Sequence, residues 1–291
     1  MRKEIPNYFY YDVPCHGRIE RIQYETTNVV GVRVTKYANV YLPHGYYDSD
    51  EKYNIIYMMH GGGGNPDSFL DASASKNMLD IMFAEKKAKP SIVVFPSYYN
   101  EEQPVRSDRG SDFEGNRTLF FQTELIADLI PAVESTYRTY AESVTREGIS
   151  ASRDHRAFGG FSMGGCTTWY AFTRNMAYIS RFIPLSGDCW EVALKGGESE
   201  TEKTVKALTD SIRRQGYTKD DFKIFAATGD QDIAYPALTP MIEAMAKETE
   251  FFDYSDEYRA GNLHYLVVAD KNHAYDAVML YWRDCLPYIF D

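Results

Sequence analysis

A serine in a glycine-rich segment is the first residue of this sequence whose setting indicates covalent chemistry. Residues 159–165 read Gly-Gly-Phe-Ser-Met-Gly-Gly and contain the pattern G-x-S-x-G around Ser162. In this pattern a serine lies at the tip of a sharp turn from strand to helix, and small flanking residues let the two arms pass closely. Its hydroxyl then projects outward and can act as a nucleophile. The pattern is short, and an incidental serine in a glycine-rich turn would produce it too.

A second glycine-rich segment gives this serine a chemical partner. His60 follows an apolar run and precedes four glycines, and such a loop can bring a backbone N–H group against a reacting carbonyl. Any Cβ atom there would obstruct the approach. We therefore predict an oxyanion hole formed by the N–H of Met163 and the N–H of Gly62 or Gly61. We expect His60 to anchor the loop and not to act as the catalytic base.

A nucleophilic serine also needs a base, and the base needs an acid that orients it. Downstream of the serine there are two histidines, His264 and His273. His264 falls inside a strand pattern, whereas His273 follows that strand and precedes a helix, so we predict that His273 is the base. The candidates for the acid are Asp230 and Asp232, which follow another predicted strand. Spacing alone does not choose between these two carboxylates.

The elements that must position these residues alternate along the chain. Short β-branched and aromatic runs predict strands at residues 18–25, 38–42, 54–60, 91–96, 157–161, 181–185, 222–228 and 264–269. From residue 54 onward the strands alternate with helices, which predicts a mostly parallel, twisted sheet with an antiparallel N-terminal edge. With helices on both faces this is an α/β fold of three layers. The chemistry is then expected at the carboxyl ends of the strands.

Amphipathic stretches predict helices at residues 77–87, 119–137, 163–175, 202–215, 236–247 and 274–286. In the second of these, apolar side chains recur every four residues and predict one buried stripe, which consists of Phe121, Leu125, Leu129, Val133 and Tyr137. Pro131 is expected to bend this helix. The polar segment 97–118 predicts an irregular loop at a strand end, either a loop that binds substrate or a solvated excursion.

The composition limits the class of protein. The chain has 291 residues, a formal net charge of −11 and 44% hydrophobic residues, which is typical of a globular protein and argues against binding to nucleic acid or to a membrane surface. Since no linker-like composition shift divides the chain, we expect residues 1–291 to form a single domain. No apolar run reaches membrane-spanning length and no secretory signal is found, so we expect a cytoplasmic protein or an excised mature domain of a secreted one.

Motifs for metals and nucleotides are absent from the sequence. It contains no HExxH, EF-hand loop, Walker A or complete GxGxxG pattern. The cysteines Cys15, Cys166, Cys189 and Cys285 are widely spaced, which excludes a metal or redox pair of the CxxC type. We therefore expect no metal and no other cofactor. The sequence does not fix the oligomeric state.

Several of these blocks together resemble one known family. Residues 159–165, 184–190 and 226–235 and the histidine–glycine loop are similar to feruloyl esterases of carbohydrate esterase family 1, and especially to the esterase domains of clostridial cellulosomal xylanases. The similarity runs from about residue 14 to the C terminus. The resemblance implies an α/β-hydrolase fold, a Ser-His-Asp triad without a cofactor, and hydrolysis of hydroxycinnamate esters.

The resemblance also assigns roles that spacing leaves open. Asp232 matches the last aspartate of the family's G-x-x-D-I-A-Y block, which makes it the triad acid. Trp190 matches the aromatic residue that lines the family's ferulate pocket, and we group Asp188 and His60 with it as candidate substrate-binding residues. The implied partner is feruloylated arabinoxylan or a feruloylated oligosaccharide.

Other functions remain open at this level. An acetyl xylan esterase or a general carboxylesterase would use the same triad with a smaller acyl pocket, and a thioesterase would use it on acyl thioesters. A noncatalytic carbohydrate-binding module would keep only the fold. The residues after His273 are less aromatic than the family pattern, and this leaves the acyl preference undetermined.

Overall fold

The computed structural model describes residues 13–100 and 110–291. Within this part of the chain, eight strands form one sheet in the order β1-β2-β4-β3-β5-β6-β7-β8. The strands are Arg18–Thr27 (β1), Arg33–Leu42 (β2), Asn54–Met59 (β3), Ser91–Phe95 (β4), Arg156–Phe161 (β5), Arg181–Leu185 (β6), Lys223–Gly229 (β7) and Leu263–Val268 (β8). Every predicted strand is therefore present, most of them with ends that differ by one or two residues.

The N-terminal edge of the sheet is a long antiparallel hairpin. β1 pairs with β2 from Arg18 opposite Leu42 to Thr27 opposite Arg33, and β2 pairs antiparallel with β4. β2 begins five residues before its predicted start, because its first residues alternate exposed polar and buried side chains and so lack a continuous apolar run. The remaining pairs, from β4 through β8, are parallel. The predicted parallel sheet with an antiparallel edge is confirmed.

Helices cover both faces of the sheet and complete the three predicted layers. One buried apolar cluster joins the sheet to α3, α6, α8 and α9, and a second joins the other face to α1, α2 and α10. Within the described ranges, no helix is long and apolar enough to span a bilayer. The helices are Ser68–Asp71 (α1), Ser75–Ala84 (α2), Gly110–Glu124 (α3), Ile130–Glu134 (α4), Arg146–Ala151 (α5), Met163–Asn175 (α6), Gly196–Ser199 (α7), Thr201–Gln215 (α8), Tyr235–Met245 (α9) and Tyr275–Cys285 (α10).

The segment before β5 differs from its prediction. The sequence predicted an irregular loop over 97–118, but α3 already begins at Gly110, and residues 101–109 lie outside the described part of the chain. The predicted helix 119–137 is also divided, since a π-helical turn, Leu125–Leu129, joins α3 to α4. This wider turn ends two residues before Pro131, which has no N–H to continue an α-helical ladder. The predicted apolar stripe is buried along its whole length.

A buried ion pair fixes the start of β5, the strand that leads to Ser162. Nε of Arg156 donates to Oε1 of Glu134 at 2.6 Å, and Nη2 donates to Oε2 at 2.7 Å. Both side chains are at most 1% exposed, and the hydroxyl of Tyr57 on β3 donates to the same carboxylate at 3.0 Å. A bidentate pair with further hydrogen bonds offsets the cost of removing two charges from water. The pair ties β5 to α4 and, through Tyr57, to β3.

The parallel strands bring several loops to one edge of the sheet. Because β3, β5, β6, β7 and β8 run in the same direction, the residues that follow them meet at their shared carboxyl edge. These loops contain the histidine–glycine loop, Ser162, Trp190, Asp232 and His273. Open parallel sheets bind their ligands at this edge. The topology therefore gathers the residues that the sequence singled out.

Candidate active site

Ser162 forms the turn between β5 and α6 in a backbone conformation that few residues other than glycine adopt. Its φ is 57° and its ψ is −117°, which is a strained geometry for a side chain with a Cβ atom. The neighbouring glycines make the turn sterically feasible. A Cβ atom on Gly160 would lie 2.5 Å from the carbonyl oxygen of Met59, and one on Gly164 would lie 2.2 Å from the same oxygen. The turn is therefore held closely against β3.

The imidazole of His273 lies between the serine and a carboxylate. Nε2 of His273 is 2.8 Å from Oγ of Ser162, and Nδ1 is 2.7 Å from Oδ1 of Asp232. A carboxylate accepts hydrogen bonds and does not donate them, so Nδ1 carries the proton and Nε2 can accept the serine proton. The other histidine that the sequence offered, His264, is 1% exposed and donates from Nδ1 to the carbonyl of Ser255.

The two carboxylates that spacing left open have different surroundings. Asp232 is 4% exposed, and its Oδ1 accepts from the N–H of Ala234 at 2.8 Å as well as from His273. Asp230 is instead directed toward the start of the turn after β8, where its Oδ1 accepts from the N–H of Asp270 at 2.7 Å. Asp232 is thus the carboxylate that contacts the imidazole, as the family resemblance implied.

The backbone N–H groups of the glycine loop are almost all occupied. Three of them have acceptors: Gly61 donates to the hydroxyl oxygen of Tyr275 at 3.1 Å, Gly63 to the hydroxyl oxygen of Tyr99 at 3.3 Å, and Gly64 to the carbonyl oxygen of Gly61 at 3.1 Å. Among the described residues, the N–H of Gly62 has no acceptor. Of the two amides that the sequence offered for this position, Gly62 is the one left available.

The glycine loop lies directly against the serine turn. A Cβ atom on Gly61 would be 3.2 Å from Cβ of Ser162, and one on Gly62 would be 2.7 Å from Sδ of Met163. The N–H of Met163, at the start of α6, also has no acceptor in the described part of the chain. Since the N terminus of a helix carries partial positive charge, this end of α6 favours an anion beside Ser162. The two available amides, those of Gly62 and Met163, therefore lie on segments that contact each other.

His60 lies beneath the glycine loop, away from solvent. It is 1% exposed, its Nδ1 donates to the carbonyl of Gly61 at 2.7 Å, and its Nε2 accepts from the hydroxyl of Ser97 at 3.0 Å. Burial lowers the pKa of this imidazole to about 4, with the charge of Lys36 acting in the same direction. The neutral ring anchors the loop, and both of its nitrogens have partners within the protein, while the grouping of His60 with the substrate-binding residues stays a prediction.

Asp188 is also directed into the protein and not toward solvent. It is 4% exposed, and its oxygens accept from Nε1 of Trp190 and from the N–H of Gly197, each at 3.0 Å. Burial raises the pKa of the Asp188 carboxyl above its ordinary value. Both carboxylate oxygens are thus occupied within the protein, and the expectation that Asp188 binds substrate stays a prediction. Asp188 orients the indole of Trp190, which is only partly buried beside the carboxyl end of β6.

Two tyrosines of the site carried no recognisable signal in the sequence. Tyr275 and Tyr99 bind N–H groups of the glycine loop, and the ring of Tyr99 also stacks on His60 at 5.7 Å. Both follow a strand end, which is where site residues are expected. With 24 tyrosines in the chain, however, their type alone distinguishes nothing.

The fold is that of an α/β hydrolase, and comparison with known proteins agrees. In the described ranges, no group of three or more His, Cys, Asp or Glu side chains is arranged to hold a metal ion. Residues 35–289 match the family model "Esterase: Putative esterase". The chain belongs to this esterase family.

Individual relatives support the more specific resemblance. The chain is 41% identical over 288 residues to endo-1,4-beta-xylanase Y of Acetivibrio thermocellus, which covers 98% of this chain and 24% of the relative. It is 29% identical over 176 residues to an endo-1,4-beta-xylanase/feruloyl esterase of Xylanibacter ruminicola, which covers 59% of this chain and 22% of that protein. The chain thus spans about a quarter of the length of the curated relatives it matches.

Solved structures give the same result. A mutant of the feruloyl esterase module from Clostridium thermocellum, in complex with sinapinate, superposes with a TM-score of 0.84 at 38% identity, covering 100% of this chain and 94% of that one. A ferulic acid esterase of carbohydrate esterase family 1 from Anaeromyces mucronatus superposes with a TM-score of 0.71 at 18% identity, covering 98% and 96%, and supports the fold alone. The resemblance to clostridial feruloyl esterase modules is confirmed.

Proposed function

We propose that this chain is a serine esterase that hydrolyses feruloyl and related hydroxycinnamoyl esters of arabinoxylan through an acyl-enzyme. The observation that carries the proposal is the hydrogen-bonded line from Ser162 through His273 to Asp232, beside a Gly62 amide that has no acceptor among the residues the structure describes. The likeness to a feruloyl esterase module solved with sinapinate supports the acyl group. The likeness to a xylanase that contains such a segment supports xylan as its carrier. We also propose that residues 1–291 act as one esterase domain.

Acylation begins at the serine. Oγ of Ser162 attacks the ester carbonyl while Nε2 of His273 takes the hydroxyl proton, and Asp232 stabilises the imidazolium that forms. The carbonyl oxygen becomes an oxyanion, which the N–H groups of Gly62 and Met163 bind. When the tetrahedral intermediate collapses, the bond to the sugar oxygen breaks. His273 then returns the proton to the leaving sugar alcohol.

Deacylation repeats these steps with water as the nucleophile. His273 removes a proton from water, the resulting hydroxide attacks the acyl-enzyme, and the same two amides bind the second oxyanion. Collapse releases the hydroxycinnamic acid and returns the proton to Ser162. The reaction needs no redox step, so no cofactor is invoked.

Trp190 is the proposed wall of the acyl pocket. Its indole is held in one orientation by Asp188, and the hydroxyl of Tyr170 donates to its backbone carbonyl at 2.9 Å. A rigid aromatic plane is suited to a planar hydroxycinnamoyl group, because stacked rings gain dispersion energy with little loss of conformational entropy. An acetyl group would leave such a surface uncovered. The arrangement therefore favours an aromatic acyl group over the acetyl alternative.

Product analysis on feruloylated arabinoxylan tests the proposal. We expect release of ferulate by the wild-type chain and none above background by Ser162→Ala. Parallel assays with methyl ferulate, an acetyl ester and an acyl thioester separate the remaining esterases. Turnover of the acetyl ester or the thioester alone would refute the feruloyl assignment, and equal rates for wild type and Ser162→Ala would indicate a noncatalytic module.

A further inference from the structure

Tyr275 connects the segment that carries His273 to the glycine loop. It lies two residues after His273, at the start of α10, and its hydroxyl oxygen accepts from the N–H of Gly61 at 3.1 Å. Burial raises the pKa of Tyr275, so the hydroxyl remains neutral. The contact thus joins the start of α10 to the glycine loop.

The ring of Tyr275 is held firmly enough to fix the position of this hydroxyl. It packs edge-on against Phe69 with ring centroids 5.1 Å apart, and edge-on against Phe161 at 4.8 Å. Phe161 directly precedes Ser162 and also lies 4.5 Å from the ring of His273. Edge-to-face aromatic pairs prefer defined geometries. The hydroxyl of Tyr275 therefore has a fixed location relative to both the serine and the base.

Anchoring of Gly61 determines where the Gly62 amide points. The N–H of Gly61 is bound by Tyr275, and its carbonyl accepts from Nδ1 of His60 at 2.7 Å. The peptide that joins Gly61 to Gly62 is planar and trans, so its C=O and N–H point in opposite directions. Holding the carbonyl toward the buried His60 turns the Gly62 N–H the other way. A glycine pair has wide conformational freedom, and without these anchors several orientations would be accessible.

We infer that Tyr275 is a positioning residue, whose hydroxyl anchors the glycine loop so that the Gly62 amide, and not the Gly61 amide, binds the oxyanion. Tyr275 and His273 belong to one short segment. This segment therefore fixes the position of the base and, through the Tyr275 hydroxyl, the position of the loop that carries the oxyanion donor. This inference rests on the proposed esterase function and extends it to a residue outside the proposed triad and oxyanion hole.

The anchor is expected to act on the transition states and not on substrate binding. Both oxyanion intermediates depend on the Gly62 donor, and complete loss of one such donor typically costs about 10²- to 10³-fold in rate. Loss of the anchor leaves the donor present but poorly oriented, so a smaller effect is expected. Binding of the free acid in the acyl pocket does not use the oxyanion donors in the same way. The effect should therefore fall on kcat and leave the inhibition constant for ferulate unchanged.

The test compares Tyr275→Phe with Tyr258→Phe. Tyr258 is the control because its hydroxyl also takes part in a hydrogen bond, donating to Asp284 on α10 outside the site. For Tyr275→Phe we expect kcat for methyl ferulate to fall by about tenfold, with the ferulate inhibition constant within twofold of wild type. Tyr258→Phe is expected to keep wild-type kinetics. Both variants are expected to bind ferulate in the acyl pocket.

Three results distinguish failure of this inference from failure of the proposed function. Wild-type kcat in Tyr275→Phe, or an equal loss in kcat and in ferulate affinity, would overturn the positioning role while leaving the esterase intact. Absence of Ser162-dependent hydrolysis in the wild type would overturn the function itself. If Tyr275→Phe folds poorly, Phe69→Leu removes the ring that packs edge-on against Tyr275, and a smaller loss of kcat in the same direction is expected.

Discussion

The direction of proton transfer is set by the carboxylate behind the imidazole. Oδ1 of Asp232 accepts a hydrogen bond from the Nδ1–H of His273 at 2.7 Å, which leaves the lone pair of Nε2 directed at Ser162. The N–H of Ala234 donates to the same oxygen and holds the carboxylate in place. The arrangement therefore selects one tautomer before substrate binds.

Asp232→Asn tests this selection. An amide can present its NH₂ group to Nδ1, which would move the imidazole proton to Nε2 and remove the base that faces Ser162. We expect kcat for methyl ferulate to fall by about 10³- to 10⁴-fold with the fold retained. Asp230→Asn is the matched control, since Asp230 binds the N–H of Asp270 and does not contact His273. Loss of less than tenfold in Asp232→Asn, or a comparable loss in the control, would contradict the assignment.

Gly62→Ala tests the close approach of the glycine loop. The added Cβ would lie 2.7 Å from Sδ of Met163, so either the loop or that side chain must move. We expect kcat/KM to fall by about tenfold to a hundredfold because the Gly62 N–H is displaced from the oxyanion. Adding Met163→Ala removes the obstructing sulfur and keeps the Met163 N–H, so the double variant should recover part of the activity. Full activity in Gly62→Ala, or no recovery in the double variant, would argue against this donor.

Strand β5 links a buried ion pair to the proposed nucleophile. It delivers Ser162 at one end, and at the other it begins with Arg156 in a buried ion pair to Glu134 on α4. All six residues of β5 are buried, so water cannot replace the contacts that they make within the protein. The π-helical turn before α4 places Glu134 where this pairing occurs. The start of β5, at Arg156, thus contributes to stability, and its end positions Ser162 for the proposed chemistry.

Glu134→Leu is expected to destabilise the protein strongly. It leaves Arg156 buried without a counter-charge, which typically costs about 3–5 kcal/mol of unfolding free energy. Replacing both residues, as in Arg156→Met with Glu134→Leu, should recover much of this loss. Asp210→Asn on α8 is the control, because its partners Lys206 and Arg213 are exposed and such pairs contribute little to stability. Urea unfolding measures all three, and equal losses for the buried and exposed sites would refute the argument.

For the molecule as a whole, a histidine buried under the active site couples stability to pH. The folded chain holds His60 neutral down to a pKa of about 4, whereas an unfolded chain protonates it near 6.5. Below about pH 6.5 the unfolded state therefore binds the extra proton. Stability from this group is fully present above that pH and is lost as the pH falls toward 4. Burial also lowers the pKa of His155, which acts in the same direction.

Stability between pH 7 and pH 5 tests this coupling. From the shift at His60 we expect the unfolding free energy to fall by about 2 kcal/mol over this interval, a range above the ordinary carboxylate pKa values. Urea unfolding at several pH values gives the slope. His60→Gln should flatten the slope even if it lowers stability overall, while His155→Gln should keep the greater part of it. A wild-type slope near zero would show that His60 takes up its proton without unfolding.

Much of this molecule could be predicted from the sequence. Apolar runs predict the positions of the strands along the chain. The G-x-S-x-G turn at Ser162 and the histidine–glycine loop are also local patterns, which local backbone sterics determine. His273 could be chosen because it follows a strand that ends at the shared edge. The helix boundaries around Pro131 could not be predicted from the sequence. The polar start of α3 has no apolar periodicity, and the π-helical turn depends on packing.

Only the tertiary structure decided which polar group faces which. Asp232 and not Asp230 reaches the imidazole, the Gly62 amide and not that of Gly61 is left available, and Asp188 turns inward to hold Trp190. The tie from Tyr275 to the glycine loop belongs to the same group of facts. These choices depend on distances and directions between segments far apart in the chain. A sequence pattern fixes what each segment can form, but the direction of a side chain or an amide is set only when the segments pack together.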